Sequence, residues 1–406
     1  MENTYFRKGF GLKVAIEETL TRDYHSGLVE RLKANGYSLG VGRLTFRLAR
    51  EFGFCYGVDR AVDYAYETRA KFPDRPLHLV GEIIHNPHVN RKLEQMGIGF
   101  LLRGEDGEFD FSPLSPDDVV IMPAFGVTIS DFQRLRDIGC VMVDTTCGSV
   151  LNVWKRVESY ARDSYTAIIH GKYYHEETKA TASQVMKYPA GRYLVLLNMA
   201  EARMVCDFIE GKGSLESLAG QLGTSVSPGF DFSKDLERVG IANQTTMLSG
   251  ESLAIAEEFR QSMLRRYGAE VLPGHFRTFD TICSATQERQ DAVTELLKDP
   301  LDVMVVVGGY NSSNTCHLAA LAQSRGVRTY HIEDSRGIEP ESGIIRHQPV
   351  GSKLEVETSS WLGDQRIIGI TAGASTPNNK IGETIERICA TAGVSTELQR
   401  LLDSVQ

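Results

Sequence analysis

Short apolar, β-branched runs recur along the chain, each followed by a stretch in which apolar residues return every three or four positions. The runs Leu77–Ile84, Val119–Met122, Val141–Val143, Ala167–Ile169, Val239–Ala242, Val303–Val307 and Ile367–Ile370 read as strands. Stripes such as Val58, Ala61, Val62, Ala65 and Tyr66 read as amphipathic helices. The alternation predicts an α/β fold with mainly parallel sheets, whose ligand-binding loops lie at the carboxyl ends of strands. Residues 1–40 break the pattern and read as an extension of weak helical character. No linker is rich in Pro, Gly or Ser, so closely abutting domains are expected.

Three cysteines sit in one repeated setting. FGFCYG at Phe52–Gly57 leads into the stripe from Val58, and VMVDTTC at Val141–Cys147 precedes Val150, Val153, Trp154 and Val157. TICS at Thr281–Ser284 precedes Ala292, Val293, Leu296 and Leu297. Cys55, Cys147 and Cys283 are thus expected in turns feeding helix N-termini, where the dipole favours the metal-binding thiolate. Cys140, Cys206, Cys316 and Cys389 fall at a strand entrance or inside helical patterns and read as packing residues. Seven scattered cysteines with no CxxC pair suggest neither a disulfide framework nor a zinc finger.

A second regularity reinforces the first. One βαβ length beyond each turn cysteine comes a polar cluster: 30 residues from Cys55 to His85, 28 from Cys147 to His175, and 29 from Cys283 to Ser312. A further strand-end loop follows in each segment, at Pro123–Gly126, Gln244–Thr246 and Ala372–Ser375. The chain therefore reads as an N-terminal extension (1–40) and three similar α/β lobes. The expected lobes are 41–146 with Cys55 and His85, 147–282 with Cys147, His175, Glu177 and Thr245, and 283–406 with Cys283, Ser312–Asn314 and Ser375.

Composition narrows the class. The 406 residues are 42% hydrophobic with a net charge of −9, which argues against a disordered chain and a broad nucleic-acid footprint. No apolar run approaches a membrane span, and the acidic first forty residues resemble neither a transit nor a signal peptide. A soluble cytoplasmic protein is expected, with no membrane partner. The sequence does not distinguish a monomer from a homodimer.

Three thiolates, one per lobe, would suit zinc with a water ligand. They would equally suit a [4Fe–4S] cluster, which with three cysteines keeps one iron open to substrate. Composition leaves this choice open, and spacing favours iron–sulfur only slightly. NSSN at Asn311–Asn314 ends a strand and opens a helix, as phosphate binding requires, although alone it would equally fit a plain N-cap. Ser375 ahead of Pro377 and the Asn86–Pro87 pair behind His85 read as matching helix starts, and the three together point to an anion site. No P-loop or GxGxxG fingerprint is present, which disfavours nucleotide and nicotinamide substrates. HGKYYHEE at His170–Glu177 offers acid–base groups, with Glu177 the better proton donor than Glu176 and a threonine hydroxyl to relay. His88 reads as solvent-facing and His170 as a core histidine.

Taken together, FCYGVDRAV (Phe54–Val62), IIHN (Ile83–Asn86), DTTC (Asp144–Cys147), HEET (His175–Thr178), NQTT (Asn243–Thr246), ICSATQERQ (Ile282–Gln290), NSSN and TAGAS (Thr371–Ser375) resemble the 4-hydroxy-3-methylbut-2-enyl diphosphate reductase family. The motifs run in order from about Arg50 to Ala390. The resemblance implies three α/β lobes in a pseudo-threefold trefoil around one [4Fe–4S] cluster held by Cys55, Cys147 and Cys283, its fourth iron open to substrate. It implies reductive removal of the substrate hydroxyl to give isopentenyl and dimethylallyl diphosphates, the last step of the methylerythritol phosphate route. It places His85, Ser312, Ser313, Asn314 and Ser375 on the diphosphate. His175, Glu177, Thr245 and Thr246 would surround the hydroxymethyl end, with Glu177 the proton source. Ferredoxin or flavodoxin is the implied electron donor, and Arg43, Arg47, Arg50 and Arg60 form a candidate docking patch whose simpler reading is a solvated face.

One motif departs. Ala124-Phe125-Gly126 stands where the common bacterial pattern has a second diphosphate-binding histidine, as in the cyanobacterial and plastid branch. A phenyl ring cannot donate to phosphate, so Phe125 is left out of the binding set. The segment Gly211–Asp231 exceeds the compact bacterial form and receives no role. Two rivals stand beside this reading: an aconitase-type hydro-lyase acting on a phosphorylated substrate, and a non-enzymatic iron–sulfur sensor.

Overall fold

The structure is a computed structural model that describes residues 4–105 and 107–403. Along the chain the strands are β1 (Tyr5–Phe6), β2 (Ser38–Val41), β3 (Leu44–Leu48), β4 (Leu77–Val80), β5 (Ile98–Leu101), β6 (Val119–Met122), β7 (Val141–Asp144), β8 (Thr166–His170) and β9 (Tyr193–Leu196). They continue with β10 (Val239–Asn243), β11 (Phe276–Thr278), β12 (Val303–Val307), β13 (Thr329–Ile332), β14 (Ile338–Glu339), β15 (Ile344–His347), β16 (Val356–Ser359) and β17 (Ile367–Ala372). Helices fill most of the connections, so the expected α/β class holds.

Three sheets share one plan. Their orders are β1-β7-β6-β4-β5, β11-β10-β8-β9 and β13-β12-β17-β3-β2. Within them β4, β6 and β7 pair in parallel, as do β8 to β11 and β3, β17, β12 and β13. The antiparallel β2 closes the edge beside β3. In each sheet the strand that runs into a turn cysteine (β7, β11 or β3) lies beside one ending in a strand-end loop (β6, β10 or β17). Next comes the strand leading to a polar cluster (β4, β8 or β12). Cys55 follows β3, which pairs with β17, so residues 38–48 join the sheet of residues 303–372 rather than that of β4–β7. Each cysteine thus leaves the sheet of the lobe before it, counting cyclically.

The described residues fall into two compact units, one from residues 4–8, 74–81, 99–105 and 107–283, the other from 9–73, 82–98 and 284–403. In the first, β6, β8 and β10 are buried along their whole length, which is why they read as continuous apolar runs rather than alternating ones. The unassigned segment after Gly211 forms the helix Leu215–Leu222, whose Leu218 and Leu222 join the core cluster that holds Leu194, Ile255 and Phe259. In the second unit the core gathers Phe46, Val305, Val307, Ile370, Ile381 and Ile385.

Residues 4–40 are more than a weak extension. Tyr5 and Phe6 form an edge strand on β7, and Leu28, Val29 and Leu32 of the helix Gly27–Ala34 enter the second unit's core. The expected strand Leu77–Ile84 stops at Val80, because Gly81 turns the chain with φ +66°. Among the described residues no helix is long and apolar enough to cross a membrane.

Candidate active site

In the first unit the HEET segment caps and opens the helix Glu176–Val185. His175 is its N-cap, and its Nδ1 accepts from the Glu177 amide at 3.2 Å. A ring nitrogen that accepts carries no proton, so the neutral ring bears its N–H on Nε2. Glu177 is 3% exposed, and its Oε1 accepts from the Thr245 amide at 2.6 Å. Its Oε2 accepts from Thr245 Oγ1 at 3.0 Å. Structure thereby joins three residues that sequence placed in one role. Thr246 is held separately: Gln244 Nε2 donates to its hydroxyl at 2.9 Å, while Gln244 Oε1 accepts from the Lys172 amide and Thr178 Oγ1. Gln244 is a site residue given no role from sequence, although it lies inside the NQTT motif.

The cysteine turns repeat in detail. Cys147 N donates to Ala124 O at 2.7 Å, Cys283 N to Thr245 O at 3.3 Å, and Cys55 N to Ala374 O at 3.2 Å. Each amide is anchored on one of the three strand-end loops recognised from the pattern. Cys55 and Cys147 are N-caps whose side chains make no capping bond, and Cys283 directly precedes the helix Ser284–Leu296. All three are half-buried. Burial pushes the thiols of Cys206 and Cys389 up to about 12, and also raises Cys140, which suits packing. Cys316 Sγ donates to Tyr310 O at 3.2 Å. Cys316 is half-buried too, but it lies within a helix with its thiol turned to that carbonyl, so the three turn thiols are the ones that fit the ligand set of an inorganic group.

The second unit carries the NSSN loop, Asn311–Asn314. Ser312 caps the helix Ser313–Ser324, its Oγ accepting from the Thr315 amide at 3.4 Å. Asn314 Oδ1 accepts from the Ala374 amide at 3.0 Å. Ser375 Oγ donates to His85 O at 3.2 Å. Ser313 and Asn314 are each 2% exposed, yet Ser313 Oγ and Asn314 Nδ2 have no hydrogen-bond partner among the described residues. Two orphaned polar atoms at a helix N-terminus cost about 1–3 kcal/mol each unless a ligand takes them, and the dipole there selects an anion. His85 Nδ1 lies 2.9 Å from Glu82 Oε2, which also accepts from Asn311 Nδ2 at 3.0 Å. Glu82, also missed from sequence, orients the ring.

The helix starts are less alike than their sequences suggest. Asn86 is an ordinary N-cap, its Oδ1 accepting from the His88 and Val89 amides, whereas Ser375 caps nothing, the next helix being capped at Pro377. His88 is not solvent-facing. It packs edge-on to Tyr24 with centroids 6.1 Å apart, and burial holds its pKa down to about 4. His170 is a core histidine as expected, Nδ1 lying 2.8 Å from Ser252 Oγ.

Comparison with known proteins decides the family. A family model described as LytB protein matches residues 46–389. A relative from Gloeobacter violaceus, named 4-hydroxy-3-methylbut-2-enyl diphosphate reductase, is 50% identical over 96% of this chain and 93% of its own. One of the same name from Thermosynechococcus vestitus is 48% identical over 97% and 96%. The chain belongs to the LytB family.

Its LytB relatives are mostly cyanobacterial, which supports the branch read from Ala124-Phe125-Gly126. A solved structure titled as the same reductase, "the Terminal Enzyme of the Non-Mevalonate Pathway", aligns with TM-score 0.51 and 27% identity, covering 84% of this chain and 98% of its own. A second, from Plasmodium falciparum, aligns with TM-score 0.63 at 21% identity, over 85% and 87%, and supports the fold alone. The LytB family implies an iron–sulfur cofactor. In this LytB chain Phe125 is buried edge-on to His175, with centroids 6.2 Å apart. The four arginines have separate partners: Arg43 donates to Gly363 O and Gln365 O, Arg47 pairs with Asp299, and Arg50 and Arg60 lie over Tyr37 and Tyr64.

Proposed function

We propose that the chain is a 4-hydroxy-3-methylbut-2-enyl diphosphate reductase. The net reaction takes an allylic alcohol, two electrons and two protons. The C–O bond breaks, water leaves and a C–H bond forms, giving isopentenyl or dimethylallyl diphosphate. The carrying observation is the pair of buried polar atoms left without a partner at one helix N-terminus, Ser313 Oγ and Asn314 Nδ2.

Cys55, Cys147 and Cys283 would hold a [4Fe–4S] cluster with one iron lacking a protein ligand. Such a cluster supplies the electron chemistry, charged singly by a small acidic carrier of the ferredoxin or flavodoxin class. The chain's own residues divide the remaining work. Ser312, Ser313, Asn314, Ser375 and His85 hold the diphosphate, Asn314 Nδ2 and Ser313 Oγ offering donors that the protein leaves unused. His175 presents Nε2–H to the alcohol end. Glu177 holds the transferable proton, and Thr245 Oγ1, bonded to its Oε2, passes it on or fixes the carboxyl. The cytoplasm, where thiols stay reduced, suits such a site.

The test is anaerobic turnover with counted reductant. Two electrons consumed per product supports the reading, whereas product without electron consumption favours a hydro-lyase. Visible and EPR spectra with and without the diphosphate would then report whether substrate perturbs the cluster, and colourless, iron-free protein after reconstitution would defeat the assignment.

A further inference from the structure

We infer that Arg289 is the positioning residue for Cys55, its guanidinium clamping the Gly53–Phe54 backbone from which Cys55 is presented. The side chain springs from the helix Ser284–Leu296 and is 3% exposed. Its Nη2 donates to Gly53 O at 2.8 Å and to Phe54 O at 3.2 Å, and Nε donates to Gly53 O at 3.3 Å. Nη1 turns back to Ala285 O on its own helix at 2.8 Å. Among the described residues Arg289 forms no ion pair, so every bond found for it goes to a carbonyl.

Such an arrangement is costly as mere packing. A buried cation satisfied only by neutral acceptors gives up more hydration than it recovers, and apolar side chains would fill the space at lower cost. The bonds fall where they control a ligand. Phe54 O belongs to the peptide whose N–H is that of Cys55, and that N–H donates to Ala374 O. Arg289 and Ala374 thus grip one peptide plane from both ends. One residue earlier, Gly53 has φ +70°, and a Cβ there would meet Asn378 Oδ1 at 2.9 Å. A glycine turn of this freedom needs external bonds to fix one conformation. Tyr56, just beyond, is 83% exposed and supplies little anchorage.

The inference rests on Cys55 being a cluster ligand, but its central readout does not. Hydrogen exchange of the cluster-free full chain, measured for segment 52–57 and for β12 and β17 as a reference, isolates the clamp. Arg289→Gln should raise exchange in 52–57 about tenfold or more while β12 and β17 stay protected, since a hydrogen bond from a charged donor has that equilibrium weight. Arg289→Lys, which keeps the charge but not the fork, should recover only part of the protection. After reconstitution, iron per chain should fall in Arg289→Gln. Unchanged exchange in 52–57, or exchange raised equally in all three segments, overturns the inference. Raised local exchange with full iron would retain the clamp and instead remove Cys55 from the ligand set.

Discussion

Glu177 accepts from both the backbone amide and the side-chain hydroxyl of Thr245, one contact for each carboxylate oxygen. Two donors on one buried carboxylate fix its orientation. Glu177→Gln preserves this shape, because the amide oxygen can still accept from Thr245 N and the NH2 can donate to Thr245 Oγ1. It removes only the transferable proton. Turnover should fall by about 10²–10⁴-fold with KM little changed. Steady-state kinetics under strict anaerobiosis measure both, and unchanged turnover would take Glu177 out of the mechanism.

The cysteines sort by setting, and iron content checks the sorting. Serine at Cys55, Cys147 or Cys283 should abolish bound iron while leaving the fold intact, since each side chain is half-buried in a turn. Cys389, fully buried in the core of the second unit, behaves as a hydrophobe. Cys389→Ser should keep its iron and lose about 1–3 kcal/mol of stability by burying a hydroxyl. Equal iron in all four variants would contradict the division.

What the sequence made legible follows from the range of each signal. Apolar runs, helix stripes and turn cysteines are local, so the parallel α/β class and the three repeats could be read directly. Pairing between β3 and β17 joins residues more than 300 positions apart, and neither strand's composition names its partner. Order along the chain therefore places Cys55 with β4–β7, whereas the pairing places it with β17. The NSSN loop was legible because its hydroxyls and amides are consecutive. Glu82 and Gln244 were not, because their weight comes from what they touch after folding, His85 and Asn311 for one, Thr246 and Lys172 for the other. His88 misleads for the same reason, since Tyr24 at the end of the helix Lys13–Tyr24 packs on its ring only after folding.

The orphaned atoms of the anion loop make opposite demands on binding and stability. Ser313 Oγ is buried without a partner, so Ser313→Ala removes a cost from the ligand-free protein and a donor from the complex. Ligand-free stability should stay level or rise by about 1 kcal/mol, while KM for the diphosphate substrate should rise about tenfold. Thermal unfolding and substrate titration test the two halves separately. A loss of stability together with unchanged KM would mean that the hydroxyl serves the fold rather than the ligand.

The same loop gives the protein a pH-dependent component. His331 is 4% exposed, its Nε2 lies 2.9 Å from Gly308 O, and burial pushes its pKa down to about 4. In the unfolded chain the ring titrates near its ordinary value of about 6.5. Between those two values the unfolded state binds more protons than the folded one, so stability rises with pH across the window and is lost on acidification from about pH 6.5 toward pH 4. The loss from this group is up to ~3 kcal/mol at the acid end. Gly308 lies just ahead of Asn311–Asn314, and its carbonyl accepts from His331 Nε2–H whether the ring is neutral or charged, so acid acts by placing a charge in the core rather than by breaking this bond. Unfolding free energies of wild type and His331→Phe, compared at pH 5 and pH 7.5, isolate this term. The variant should be less stable at pH 7.5, having lost the bond to Gly308, yet show a shallower decline toward pH 5. Parallel declines would mean that His331 does not titrate differently in the folded and unfolded states.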